Sequence, residues 1–224
     1  MKRPVIVIIE KIGHYGFLLL FLCLMIGLKP FLNEYIESDL LADIFLLGVL
    51  MSGVYALDRD PIALRISSSM ALIIIILRLL VHTDIGKLYN ANLFQTETIL
   101  TGLFIAQLIW IILSHILTEQ EVSSDTVLGG ACAFVLLGFL WGYAYFILNT
   151  LEPNSLSTNT TLAKELSDYI YFSFITLTST GYGDILPLTQ KARGLAILEA
   201  VTGQLYLAIM ISRLVSLHIS LINK

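Results

Sequence analysis

Tyr171-Phe172-Ser173-Phe174-Ile175-Thr176-Leu177-Thr178-Ser179-Thr180-Gly181-Tyr182-Gly183-Asp184 is the stretch on which the reading of this 224-residue chain turns. Extended back to Ser167, its first part is a run of aromatic and hydroxyl side chains about 12 residues long, which as a helix covers only about 18 Å. The hydrocarbon core of a bilayer is about 30 Å thick, so such a helix is too short to cross it. It runs straight into Thr-Gly-Tyr-Gly, where glycines favour non-helical backbone. A short helix followed by irregular chain predicts a re-entrant segment. Membrane depth tolerates one only where it lines water or is buried in protein.

The surroundings make membrane depth the right context. The chain is 57% hydrophobic, has a mean hydropathy of +0.85 and carries only 13% charged residues. A soluble domain has a mixed surface to cover and typically carries about 25%. Apolar runs at roughly 16–31, 40–57, 62–81, 98–117, 127–148 and 192–217 are read as crossings. The net charge of −4 offers nothing to nucleic acid. Cys23 and Cys132 both lie inside apolar runs and are read as small packing side chains. Lys2, Arg3 and Lys11 before the first run resemble the start of a signal peptide. No small-x-small cleavage site follows, so the first helix is expected to be retained.

Punctuation separates the runs. Pro30 ends the first, Asp58-Arg59-Asp60-Pro61 parts the second from the third, and residues 119–125 part the fourth from the fifth. Ser123 or Ser124 is available to cap the fifth helix. Residues 149–161, rich in Asn, Ser and Thr, read as an exposed loop. The expected fold is an all-α membrane protein with six transmembrane helices plus a re-entrant helix and loop. Residues 1–125 form a peripheral four-helix domain and residues 126–224 the unit around the re-entrant segment. Basic residues divide almost evenly between the two sides. The positive-inside rule therefore does not orient the chain. A cytoplasmic N-terminus is expected from the outer-side entry that the resemblance of residues 176–184, given below, implies for the re-entrant segment.

The chemistry of the loop follows from what a bare monovalent cation requires. It has no directional bonding, so holding it selectively means replacing its water shell with oxygens, and rings of backbone carbonyls from several chains do this. Carbonyls of consecutive residues align only where the backbone alternates through conformations that most side chains resist, which accounts for Gly181 and Gly183. The short helix directs its C-terminal end at the loop, where its dipole favours a cation. Tyr182 is expected to point away from the axis and brace the loop. A carbonyl cage needs about four such loops, which implies cyclic four-fold symmetry.

The stretch resembles the pore signature of potassium channels, Thr-x-Thr-Thr-Val-Gly-Tyr-Gly-Asp. Seven of nine positions fit over residues 176–184. The resemblance implies a homotetrameric, C4-symmetric pore in which Ser179, Thr180, Gly181 and Tyr182 ligate K+ and Gly183 completes the filter. Thr178, Tyr171, Asp184 and Glu199 are the implied support, with a Tyr171–Asp184 hydrogen bond in place of the usual tryptophan–aspartate pair. Two positions depart from the pattern. Ser179 keeps the innermost hydroxyl but lacks the methyl that restricts its rotamer. Thr180 replaces valine, and its outward hydroxyl must find a partner or cost stability.

The last run also resembles the inner helix of bacterial six-helix potassium channels, on Glu199-Ala200-x-x-Gly203-Gln204-Leu205-Tyr206-Leu207-Ala208. Glu199 and Gln204 are expensive in lipid and are expected to face protein or water. Glu199 is placed behind the filter, bonded to the short helix. Gly203 is either a close packing point or a gating hinge. Arg213 is expected to mark the cytoplasmic interface by snorkelling.

A voltage sensor needs several basic residues on one crossing. The fourth run has none, and Arg65 and Arg78 sit near opposite ends of the third. They are expected to anchor it, Arg78 to Asp43 and Arg65 to Asp58 or Asp60. The chain therefore departs from the voltage-gated-like superfamily in its voltage-sensing residues. The short stretch after Arg213 is expected to hold no regulatory domain. Asp43, Gln107, Ser114 and His115 are candidates for a ligand site, with packing the plainer account.

The expected function is passive K+ conduction across a bacterial plasma membrane. No cofactor is expected beyond K+ in the filter, and no enzymatic activity. Partners are other copies of the chain, membrane lipids and an unidentified regulatory protein or ligand. A weakly selective monovalent cation channel and a non-conducting membrane scaffold are the alternatives.

Overall fold

A computed structural model describes residues 4–28, 31, 38–57, 61–81, 90–119, 123–158 and 165–222. Among them are seven helices: α1 (Pro4–Gly27), α2 (Ser38–Ala56), α3 (Pro61–Val81), α4 (Asn90–Thr118), α5 (Ser124–Leu151), α6 (Leu166–Leu177) and α7 (Gln190–Ile222). Two short strands, β1 (Leu156–Thr158) and β2 (Ile185–Pro187), flank α6. By length and composition, α3, α4, α5 and α7 each suffice to cross a membrane, while α1 and α2 contribute the shorter apolar stretches Tyr15–Gly27 and Asp43–Ala56. The molecule is a multi-pass helical membrane protein.

Helix α5 is the centre of the packing, in contact with α1, α4, α6 and α7. Its start is set by chemistry local to the sequence. Ser123 Oγ accepts from the Thr126 amide at 3.1 Å, while Thr126 Oγ1 accepts from the Ser123 amide at 3.2 Å. This reciprocal cap uses two of the amides a helix start leaves unpaired. Asp125 in the same turn accepts from the Tyr15 amide of α1 at 3.3 Å.

The main core joins α1 to α5, with Leu18, Leu50, Ile74, Leu108 and Leu136 each at most 1% exposed. A second, smaller core of Tyr145, Leu156, Tyr169, Phe172 and Ile175 ties α5 to α6 and β1. Glycines 138 and 142 let α6 lie close to α5: a Cβ at Gly142 would stand 2.9 Å from the Ile170 Cα.

The segment after α5 is more ordered than an exposed loop. Strands β1 and β2 pair antiparallel, Ser157 opposite Leu186, and Ser155 and Leu156 are buried. The Leu188 amide donates to the Ser155 carbonyl at 2.9 Å. Asn149 Oδ1 accepts from both the amide and the hydroxyl of Ser155 at 3.2 Å. The polar residues that read as loop are here the ones that terminate a helix and seed a small sheet.

Of the anchors expected for α3, Arg78 Nε meets Asp43 Oδ1 at 2.5 Å. Arg65 Nε donates to the Pro61 carbonyl at 3.2 Å. Asp58 and Asp60 lie outside the described residues. Cys23 and Cys132 are both free thiols.

Candidate functional site

The end of α6 explains the shape of residues 178–183. Thr178 closes the helix, and the Ser179 amide donates to the Thr176 carbonyl while the Thr180 amide reaches back to the Ile175 carbonyl, both at 2.9 Å. This pair of bonds defines a Schellman helix end, which needs a left-handed residue just after the cap. Glycine usually takes that place. Here Ser179 does, at φ 57°.

Left-handed conformation then recurs at Gly181 (φ 54°) and Gly183 (φ 77°), while Thr180 and Tyr182 between them stay at negative φ. In an ordinary strand successive carbonyls point to opposite sides; alternating the sign of φ cancels that alternation. Left-handed φ thus falls at every second residue from 179 to 183. No other atom stands within 4 Å of where a Cβ would sit on Gly181 or Gly183, and Tyr182 is 72% exposed. Tyr182 does not brace the loop within this chain.

The polar hydroxyl at 180 has a partner. Thr178 Oγ1 donates to the Phe174 carbonyl at 2.7 Å and lies 2.9 Å from Thr180 Oγ1. Since Thr178 has one hydroxyl hydrogen, Thr180 is the donor between the two.

Glu199 of α7 sits directly behind α6 and is fully buried. The Tyr145 hydroxyl of α5 donates to its Oε2 at 2.6 Å, and the Ser173 hydroxyl of α6 reaches its Oε1 at 2.5 Å and the Gly138 carbonyl at 2.7 Å. One carboxyl group therefore joins three helices. A sequence search for its partners misses Tyr145 and Ser173, because they are 54 and 26 residues away and each looks like an ordinary packing residue.

Gly203 is a contact point. A Cβ there would come 2.1 Å from the Leu177 carbonyl oxygen, far inside van der Waals distance, and α7 runs through it without a break. One residue on, Gln204 Nε2 donates to Ser179 Oγ at 2.9 Å. Below this level the Tyr206 hydroxyl donates to the Gly130 carbonyl of α5 at 2.6 Å. Arg213 donates to the Leu117 and Glu119 carbonyls at 3.0 and 2.7 Å, capping the end of α4 instead of only reaching towards water.

Towards the other end of the segment, Tyr171 lies against Asp184. The hydrogen-bonding attraction of that carboxylate, with a smaller part from desolvation, holds the Tyr171 phenol above its usual pKa. Asp184 Oδ1 is buried and has no hydrogen-bond partner among the described residues.

Away from this region, Arg78 bonds Asp43 and also lies 3.8 Å from Glu97 Oε2 of α4. Glu97 is 5% exposed and takes a 3.5 Å contact from Thr101. The sequence reading named Asp43 and Arg78 but not Glu97.

Residues 130–219 match the family model described as "Ion channel". The chain is also similar to Protein LctB of Bacillus caldotenax, 37% identical over 86 residues, which span 36% of this chain and 62% of that protein. No solved structure matches. The similarity to an ion-channel family lies over α5, α6, the alternating segment and α7, and it speaks for a transport role over an enzymatic one.

Proposed function

We propose that this chain is one subunit of a homotetrameric, potassium-selective channel. K+ crosses the membrane passively through a filter made of residues 179–183 from four copies. The carbonyls of Ser179, Thr180, Gly181 and Tyr182 replace the ion's water shell, and the Ser179 hydroxyl takes the innermost position. Residues 126–224 make the pore unit and residues 1–125 the peripheral unit. The N-terminus is cytoplasmic, in a bacterial plasma membrane.

The observation that carries this reading is the alternation of φ at Ser179, Gly181 and Gly183 directly after a helix too short to span. Supporting it, Tyr182 and both glycines are open within one subunit, as a loop lined by other copies requires. Thr178, Asp184, Tyr171 and Glu199 support the filter from its own subunit. Neither Ser179 nor Thr180 removes a carbonyl, and Thr180 has its hydroxyl satisfied.

The test is K+ flux from protein reconstituted in liposomes, with Na+ as competitor, native chain against Gly181→Ala. A β-carbon at left-handed φ costs about 1–2 kcal/mol, so flux is expected to fall by tenfold or more. Equal flux from both proteins removes the filter assignment. Flux that does not discriminate K+ from Na+ replaces it with a weakly selective channel, and no flux with a scaffold.

A further inference from the structure

The filter reading above leaves Gln204 without a role, and the geometry points to one. We propose that Gln204 is a positioning residue that sets the Ser179 hydroxyl, the innermost oxygen of the filter, and thereby its selectivity between K+ and Na+. This rests on the proposed filter and extends it to the helix behind.

Three observations combine. Ser179 occupies the left-handed residue of the helix end, at φ 57°. A β-branched residue is a genuine outlier at such φ, so threonine, which would restrict its own hydroxyl through its methyl group, is disfavoured at this backbone. Serine fits but leaves χ1 free to choose among rotamers. Gln204 supplies the missing restraint from outside, donating to Ser179 Oγ at 2.9 Å.

The donor is itself held in place. Gly203 seats α7 against the last carbonyl of α6, leaving no room for even a β-carbon. Gln204 is the next residue, so the contact that positions the helix also positions the amide. Accepting from Gln204 uses one of two lone pairs on Ser179 Oγ. The other remains for an ion or its water, at an orientation fixed by α7. Ser179 and Gln204 thus replace together what a threonine does alone.

The experiment is a double-mutant cycle in reconstituted full-length protein: native, Gln204→Leu, Ser179→Ala and the double variant. The Na+/K+ permeability ratio is read from reversal potentials, and retained assembly from size-exclusion chromatography. Gln204→Leu is expected to raise the ratio at least threefold, and Ser179→Ala to raise it similarly. The double variant should match Ser179→Ala, because the amide then has no hydroxyl to set. A native ratio in Gln204→Leu overturns the proposal, and so do effects that multiply in the double variant. If Gln204→Leu carries no current, recovery in the double variant supports the coupling and continued silence overturns it. The filter reading fails separately, through a native protein that carries no K+ flux or a Gly181→Ala variant that conducts like it.

Discussion

At the level of single residues, the site is governed by how little room α7 and α6 leave each other. Gly203→Ala places a methyl group 2.1 Å from the Leu177 carbonyl. Such overpacking typically costs about 1–3 kcal/mol. The variant is expected to show a lower thermal midpoint in detergent, and an unchanged midpoint contradicts the contact. The hinge proposal for Gly203 concerns opening and is read separately, from single-channel open times in a variant that still assembles. At Glu199 the outcome should depend on what replaces it. Glu199→Ala deprives the Tyr145 hydroxyl of its acceptor, and a buried unsatisfied group costs about 1–3 kcal/mol. Glu199→Gln retains an acceptor and should lie nearer the native midpoint. Equal losses from both mean that the carboxyl group's hydrogen bonds do not hold the three helices. Tyr171 gives a pH dependence. Its phenol is held above the usual value by Asp184, so the contact's stabilisation is present below about pH 10 and is lost as pH rises through the elevated pKa. Through this pair thermal midpoints should not vary with pH near neutrality and should fall in alkali, and Tyr171→Phe should remove that alkaline component.

Among the helices, α4 and α3 divide the electrostatics unusually. Helix α4 spans 29 residues without a Lys or Arg. On α3, Arg78 lies between the carboxylates of Asp43 and Glu97. Removing one member of a fully buried ionic group commonly costs about 3–5 kcal/mol, and less at this one, where the Arg78 and Asp43 side chains are 18% and 21% exposed. Arg78→Leu should therefore destabilise measurably, while replacing Asp43, Arg78 and Glu97 together by apolar residues should cost less. A neutral Arg78→Leu would mean the cluster is well hydrated. This group ties α2, α3 and α4 to one another. Macroscopic current is expected to vary little with voltage beyond the change in driving force, and steep activation in voltage-clamped bilayers would refute the anchoring account.

For the whole molecule, α7 divides into two faces. Ala192, Glu199, Gly203 and Met210 are buried against α5 and α6, whereas Ile197, Leu198, Val201, Leu205 and Ile209 are each at least half exposed. Apolar exposure is ordinary towards lipid, but this helix also carries Gln204 beside an open Thr-Gly-Tyr-Gly segment. Four copies around an axis would account for both, with α7 lining the pore below the filter. Mass measurement of the intact protein in detergent is expected to give four subunits, and a monomer would remove the carbonyl cage, since one loop cannot surround an ion.

The short helix and the positive φ of its glycines were legible in the residues because both are local: the aromatic and hydroxyl run is about one short helix long, and glycines mark where φ turns positive. The cap at Ser123 and the bond from Arg78 to Asp43 were legible for a similar reason, being short lists of polar groups with few places to go. Glu199 was expected behind the short helix, but its partners Tyr145 and Ser173 were not, and neither was Glu97. Each depends on which helix faces which, and apolar helices of similar composition leave that open. Strand β1 was read as part of a loop for the same reason: its residues become a sheet only when the chain returns beside itself at β2. Ser179 in a left-handed conformation, Gln204 bonded to it and Gly203 pressed on Leu177 are consequences of one close approach between α6 and α7. Composition, length and glycine placement determined that a short helix would end in an irregular turn with left-handed glycines. Only packing decided which side chains hold that turn in place, because such contacts come from distant residues brought together by shape, which no local pattern encodes.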